Sequence, residues 1–520
     1  MKSFSRLAGI LMSCCLVHPL LAQQEIVDTA AFQKIRVAEL NSSQIPMIAH
    51  NLTDVSGSRL TNSPGFFRAG RWAVGIMKKW GLQNAALEPW GDYGRGWELE
   101  EFSISMKQPY NGSIIGYALP WSSNTVGEIR APVYILSRAN FMDSVFLEKH
   151  RTEMKGKIIL LTENTKTHEG DSTAFSTRLT DSQLVKLADN YMYTRAQIES
   201  YIPFFKILAN RKLKLKSYGA LAMLEAPGAG RDGTVAVEEF TGYKINSPVL
   251  LPEAVISSED GFKIQRLIAS GHKVEIALHI KGIFFSKDTK GYNVVAEIPG
   301  SDPKLKEQLV MLGGHLDSWT AATGATDNAA GCIVMMEAVR LLDSLNLKPK
   351  RTVRLALWSG EEQGLYGSYY YVRNHFGNGE TGVMKPEQAK VSAYFNLDNG
   401  TGKIRGIYAQ GNTLITPVFE QWLAPFHDLG ASTVTISNTG STDHISFDWA
   451  GIPAFQFIQD PLDYETKTHH TNMDTYDYLR INDLKQAAII VASFIYQASI
   501  RPDMLPRKKP VREKFAFDGL

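Results

Sequence analysis

His315 and Asp317 stand two residues apart, and on an extended chain two such side chains point the same way. An imidazole with a nearby carboxylate is a usual pairing at a metal, the ring nitrogen as ligand and the carboxylate behind it. Asp327 follows, in the stretch Thr326, Asp327, Asn328, Ala329, Ala330 and Gly331 that opens a helical pattern. Small residues there let the backbone approach a compact centre, and a carboxylate in that place can bridge two metals. Glu361 and Glu362 are adjacent, which is costly unless cations neutralise them. One of the pair can bind a metal while its neighbour takes a proton from water. Asp398 supplies a further carboxylate, and His469 and His470, with Thr471, Asp474 and Thr475 after them, supply imidazoles. Nitrogen and carboxylate donors suit zinc, and the excess of carboxylates suits a pair of metals sharing one bridge. Singly, a His or Asp after a strand is a turn or cap residue, and Glu361 with Glu362 reads as the acidic first turn of a helix. Their recurrence at successive strand exits points to one site.

The elements that must position these residues begin near Tyr292. The pattern predicts strands over 293–298, 309–312, 352–358, 391–397 and 452–458, and helices over 329–342 and 481–496. Strands alternating with helices imply an α/β fold, a sheet flanked by helices, with ligands beyond the carboxyl ends of the strands. Upstream, residues to about Gly96 read as helices around the turn Ser56 to Ser58, and the pattern 66–80 ends at Gly81. From about Gly127 the texture changes to short β-rich runs at 132–136, 157–161, 220–224 and 274–278. A charged, helical excursion over 180–216 interrupts it, with 211–216 read as a solvated face. The expected organisation is a signal peptide over 1–22, a first part of the catalytic domain over 23–126, an insertion over 127–287, the main domain over 288–500 and a loosely ordered extension over 501–520.

A chain of 520 residues exceeds one ordinary domain, and 55 basic against 53 acidic residues give no push toward nucleic acid or an anionic membrane. Lys2 and Arg6 precede an apolar run over 7–21, and Ala22 before Gln23 suits cleavage. The run is too short and interrupted for a membrane span. Export to a periplasm or the medium is therefore expected, and Cys14 fits a lipid-attachment site less well because the apolar run continues past it. After removal of Cys14 and Cys15 only Cys332 remains, which excludes an internal disulfide and reads as packing.

At these residues the sequence resembles the co-catalytic two-zinc exopeptidases, the group of bacterial aminopeptidases and glutamate carboxypeptidases, with the likeness greatest to the carboxypeptidase Q branch. The matching stretches are 293–300, 314–319, 349–358 with Glu361 to Gln363, and His469 to Thr471 with Asp474 and Thr475; 58–60 and 87–89 match near the N-terminus. The resemblance implies two zinc ions, one held by His315 and Asp398, the other by Glu362 and His470, with Asp327 between them. It implies that Asp317 orients His315, and that Glu361 is the general base that activates the bridging water and later protonates the leaving amine. The insertion resembles a protease-associated domain. The stretch Ser441, Thr442, Asp443 and His444 is similar to the aminopeptidase branch and is a candidate for substrate binding, whereas His469 beside His470 is similar to carboxypeptidase Q. His470 is the ligand choice because it directly precedes Thr471. Short peptides are the expected partners; which peptide end is attacked, and whether the chain forms a homodimer, stay open.

The stretch Gly228 to Gly233 fits a dinucleotide fingerprint in form, but 234–237 after it reads as strand where the phosphate site needs a helix. There is no Gly-x-Ser-x-Gly elbow, no His-Glu-x-x-His and no Walker loop. Two competing functions are a glutaminyl cyclase-like aminoacyl transferase, which would hold one tight zinc, and a non-catalytic peptide-binding protein, against which the complete set of candidate ligands and Glu361 argues.

Overall fold

The computed structural model describes residues 25–163, 174–190, 195–228, 230–379 and 381–508. The expectations for 1–22 and for 509–520 lie outside these residues. No described helix is long and apolar enough to cross a membrane.

Among the described residues there are two eight-stranded sheets and one small two-stranded sheet, Gly377–Asn378 with Val383–Met384. The first runs, in order, through Gln83–Asp92, Lys290–Ile298, Thr352–Trp358, Leu309–His315, Val391–Asn396, Ala454–Gln459, Ile404–Tyr408 and Thr433–Thr435. Its four middle strands, from Thr352–Trp358 to Ala454–Gln459, are mutually parallel. They read as near-continuous apolar runs because both faces are covered. Along Leu309–His315, Val310 and Leu312 join one core and Met311 the opposite one, the alternation a pleated strand imposes. The larger core is closed by the helices Ala330–Ser344 and Ile481–Ile500, both buried nearly all round, with the amino-terminal helices Thr29–Ser42, Ile45–Leu52 and Pro64–Lys79. The last of these stops before Gly81, whose φ of +94° ends the helix as expected. Phe494 is a centre of this core, with ring centroids 5.3 to 6.2 Å from those of Trp422, Phe457, Phe419 and Phe395.

Parallel strands bring all their carboxyl ends to one edge of the sheet, and it is there that His315, the turn after Trp358 and the turn after Asn396 meet. The expected α/β sheet with flanking helices is the observed one, though mixed at its margins: Gln83–Asp92 and Lys290–Ile298 pair antiparallel with their neighbours, and Ile404–Tyr408 runs antiparallel to Ala454–Gln459 but parallel to Thr433–Thr435.

The second sheet runs through Gly112–Ser113, Gly96–Gln108, Glu275–Phe285, Ile129–Ser137, Ile158–Thr162, Ala222–Ala226, Glu253–Ile256 and Gly116–Ala118. It therefore begins at Gly96, upstream of the expected boundary at 127. The polar, alternating strand Gly96–Gln108 lacks the apolar run that marks its neighbours. Helix Ser258–Ala269, capped by the Ser257 hydroxyl on the Asp260 amide, covers one face. Helix Arg195–Ser217 covers the other through Leu208 and Leu215.

Three further expectations are corrected. Residues 211–216 are not a solvated face throughout, since Lys212 turns inward and pairs with Glu239 (3.0 Å) and Glu253 (2.6 Å). The stretch 234–237 forms no strand; it makes one isolated bridge, Ala236 to Thr471. Residues 501–508 are docked: Leu505 is buried, Arg507 donates to the carbonyls of Gly451 (2.9 Å) and Gln388 (3.0 Å), and Lys508 pairs with Asp448 (2.8 Å).

The two sheets join through adjacent strands, Asp92 opposite Lys290 in one and Gly96 opposite Phe285 in the other. Between them lies an aromatic seam: Trp90 stacks on Tyr370 (5.4 Å) and Tyr366 (6.2 Å), Tyr93 stacks on Tyr243 (5.0 Å), and the Tyr243 and Tyr366 hydroxyls are 3.0 Å apart.

Candidate metal centre

His315 is the last residue of its strand, buried, with Nδ1 donating to the Asp317 carbonyl (3.0 Å) and 3.7 Å from Asp317 Oδ1. That contact fixes the ring so that Nε2 faces Asp327 Oδ1 at 3.2 Å and Asp398 Oδ1 at 3.3 Å. The Asp317 carboxylate is held in turn by the Thr61 hydroxyl (3.0 Å) and, more weakly, by the Glu361 amide (3.4 Å). Thr61 also accepts from the Gly360 amide (2.8 Å), so the amino-terminal segment braces the turn that carries both glutamates. Beside it, buried Arg59 donates to the carbonyls of Leu316 (2.6 Å), Gly324 (2.8 Å) and Thr323, and so pins the loop between His315 and Asp327.

Asp327 opens the helix Ala330–Ser344 from a non-helical position. Its amide and that of Thr326 donate to Asp474, at 3.0 and 2.5 Å, which locks its backbone to the loop carrying the histidine pair. A Cβ on Gly331 would overlap the Leu397 carbonyl oxygen, which is why small residues stand here: they let Asp327 and Asp398 share one centre.

On the far side of Asp327, His470 Nε2 lies 3.1 Å from Asp327 Oδ2 and 2.9 Å from Glu362 Oε2. His469 Nε2 is farther from Asp327, at 3.8 Å, and its ring packs on those of Tyr464 (4.8 Å) and His470 (3.9 Å). Glu361 reaches toward the same centre, Oε2 3.9 Å from His315 Nε2.

The structure thus gathers His315, Asp317, Asp327, Glu361, Glu362, Asp398 and His470 at one point. Asp443 joins them as a buried neighbour, near enough to Glu361 for their charges to interact. His444 does not: its Nε2 faces Gln410 Nε2 (2.7 Å) and the Thr439 carbonyl (3.1 Å), and burial pushes its pKa down to about 4, so it is a neutral packing group. The one-residue step on the helix His444–Trp449 turns it away from the cleft. Two contributors carry no motif. Tyr464 is buried, its hydroxyl in the field of Asp327 and Asp398. Glu238, from the insertion, contacts His470 Nδ1 at 2.6 Å.

Electrostatics show a site short of positive charge. Burial first, then the crowding of Asp398, Asp443 and Glu362 against the pull of His315, holds Glu361 well above the usual carboxylate range. Burial and Asp327 push Glu362 up to about 8. Burial also takes Asp443 up to about 8 and, with Asp327, Asp474 to about 7. Asp327 goes the other way: against its own burial, His315 and His470 hold it well below its usual value. Such a cluster is stable as a set of anions only with cations among them.

The donor set fits metal. Donors placed tetrahedrally about 2.0 to 2.1 Å from a zinc ion lie about 3.3 Å from one another. The contacts of His315 with Asp327 and Asp398, at 3.2 and 3.3 Å, match that spacing, and those of His470 come close. Asp327 Oδ2 and Glu362 Oε1 are buried without a hydrogen-bond partner among the described residues, acceptor capacity that a cation would satisfy.

Residues 293–495, which include every one of these candidate ligands, match the family model for peptidase family M28. Carboxypeptidase Q of Pongo abelii is 27% identical over 467 residues, covering 88% of this chain and 85% of that protein. Among solved structures, a peptidase M28 precursor from Shewanella amazonensis aligns with a TM-score of 0.67 at 23% identity, over 92% of this chain and 98% of that one. A zinc aminopeptidase of Bacillus subtilis aligns with a TM-score of 0.54 at 19% identity, over 92% and 96%. These two likenesses show that the fold of this chain, over both sheets, is shared with those proteins.

Proposed function

We propose that this protein is an exported metallo-exopeptidase of the M28 kind that uses two zinc ions to hydrolyse the terminal peptide bonds of short peptides or dipeptides. The observation that carries the reading is the meeting of two donor pairs, His315 with Asp398 and His470 with Glu362, on the single carboxylate of Asp327. Bound there, zinc would polarise the scissile carbonyl and acidify a water. Glu361, beside both pairs but bound to neither, takes the proton of the attacking water and returns it to the departing amine. Asp317 keeps the His315 ring oriented throughout. Trp319 packs beside the His470 ring, with centroids 6.1 Å apart. The carboxypeptidase Q and zinc aminopeptidase relatives support both the metal and the reaction class. The apolar segment after Lys2 and Arg6 supports export.

The test is mass-spectrometric product analysis of one set of short peptides in free, N-acetylated and C-amidated forms, with and without a chelator. Chelator-sensitive loss of single terminal residues is expected. A block by N-acetylation alone assigns an aminopeptidase, by C-amidation alone a carboxypeptidase, and by either one a dipeptidase. No cleavage of any form, or ammonia release from glutaminyl peptides instead, overturns the proposal.

A further inference from the structure

The loop that carries His470 belongs to the catalytic sheet, yet the insertion holds it. Val237 donates its amide to the His470 carbonyl (2.9 Å), and Asn472 donates to the Val235 carbonyl (3.1 Å) while its side chain accepts from the Val235 amide (2.7 Å). These bonds flank the isolated bridge between Ala236 and Thr471. A second arm of the insertion braces the same loop upstream, through the Thr177 to Leu462 bridge and the ion pair of Arg178 with Asp460 (2.8 Å). His470 itself sits at a φ of +59°, a conformation that its surroundings must hold.

Within this clamp Glu238 reaches the ring. Its Oε1 lies 2.6 Å from His470 Nδ1, the nitrogen turned away from Asp327 and Glu362. A proton on Nδ1, donated to Glu238, leaves the lone pair on Nε2, which faces the metal point. The same division of labour operates at His315, where the partner of Nδ1 comes from two residues down its own chain. At His470 it comes from a different unit.

We infer that Glu238 is a positioning residue for the second metal, so that the insertion completes the His470 and Glu362 half of the centre and leaves the His315 and Asp398 half to the catalytic sheet. The inference rests on the two-zinc reading above. Its consequence is an asymmetry between the sites: one is built without the insertion, the other only where the insertion is docked.

The experiment titrates zinc into the metal-free full-length protein by calorimetry, for the wild type and for Glu238→Ala, Glu238→Gln and Glu238→Asp. The wild type is expected to bind two equivalents. Glu238→Ala should keep one equivalent at wild-type affinity and weaken the other by about 10- to 100-fold, the cost of losing a histidine's outer partner. Glu238→Gln retains an acceptor oxygen at the same reach and should recover most of that loss, whereas the shorter Glu238→Asp should not. Two undisturbed equivalents in Glu238→Ala, or equal weakening of both, overturns the inference. Fewer than two equivalents in the wild type refutes the two-zinc reading itself, and is visible before any variant is measured.

Discussion

The proposal gives Glu361 and Glu362, neighbours in sequence, different tasks, and substitution separates them. Glu361→Gln should keep the wild-type zinc content, two equivalents on the proposed reading, counted by atomic emission, while kcat falls by about 10²- to 10⁴-fold, the range of a lost general base. A fully active variant would remove Glu361 from the chemistry. His470→Ala should lower the zinc content by about one equivalent and His469→Ala should leave it unchanged, because Glu362 and Asp327 face the former ring and the latter stacks on Tyr464. The gathering of these residues was readable before any coordinates because chemistry-bearing residues recurred where strands ended, and each strand brought its side chain to the same edge. His444 was misread since its neighbour Asp443 does face the centre; adjacency in a helix does not carry over to direction. Glu238 was beyond reach of the sequence: it lies 232 residues from its partner, in a loop whose glycines drew attention to phosphate instead.

At the scale of elements, the helix Thr29–Ser42 buries Glu39 against Glu337 of the helix Ala330–Ser344. Burial, then Glu337, pushes the Glu39 carboxyl from 4.5 up to about 9. A carboxyl raised on folding contributes stability that is complete below its unfolded pKa and is lost as pH climbs toward the folded one. Glu39→Gln, uncharged at every pH, should therefore be more stable than the wild type at pH 8, on the order of 1 to 3 kcal/mol. The gap should close as pH falls toward 4.5; melting curves across pH 4.5 to 9 that stay parallel for the two proteins would contradict this. Which elements were legible follows the same physics of burial. The strands Leu309–His315 and Thr352–Trp358, covered on both faces, announced themselves as apolar runs. Gln83–Asp92 did not: it is an edge strand, half exposed and interrupted by Pro89, and its sequence carries no pattern of its own.

Over the whole molecule, the aromatic seam of Trp90, Tyr93, Tyr243 and Tyr366 makes one body of two sheets. Differential scanning calorimetry should accordingly show a single cooperative transition; two resolved peaks would mean that the insertion melts by itself and that the clamp on His470 is weaker than drawn. The order of the first sheet has a further consequence, for the chain as it leaves the ribosome. Gln83–Asp92 is synthesised before the insertion, but its partner Lys290–Ile298 comes after it. The strands between Gly96 and Phe285 find all their strand partners among themselves. The middle of the chain can thus fold first, while the opening helices and their unpaired edge strand wait, exposed to chaperones, until nearly two hundred residues later their own sheet arrives.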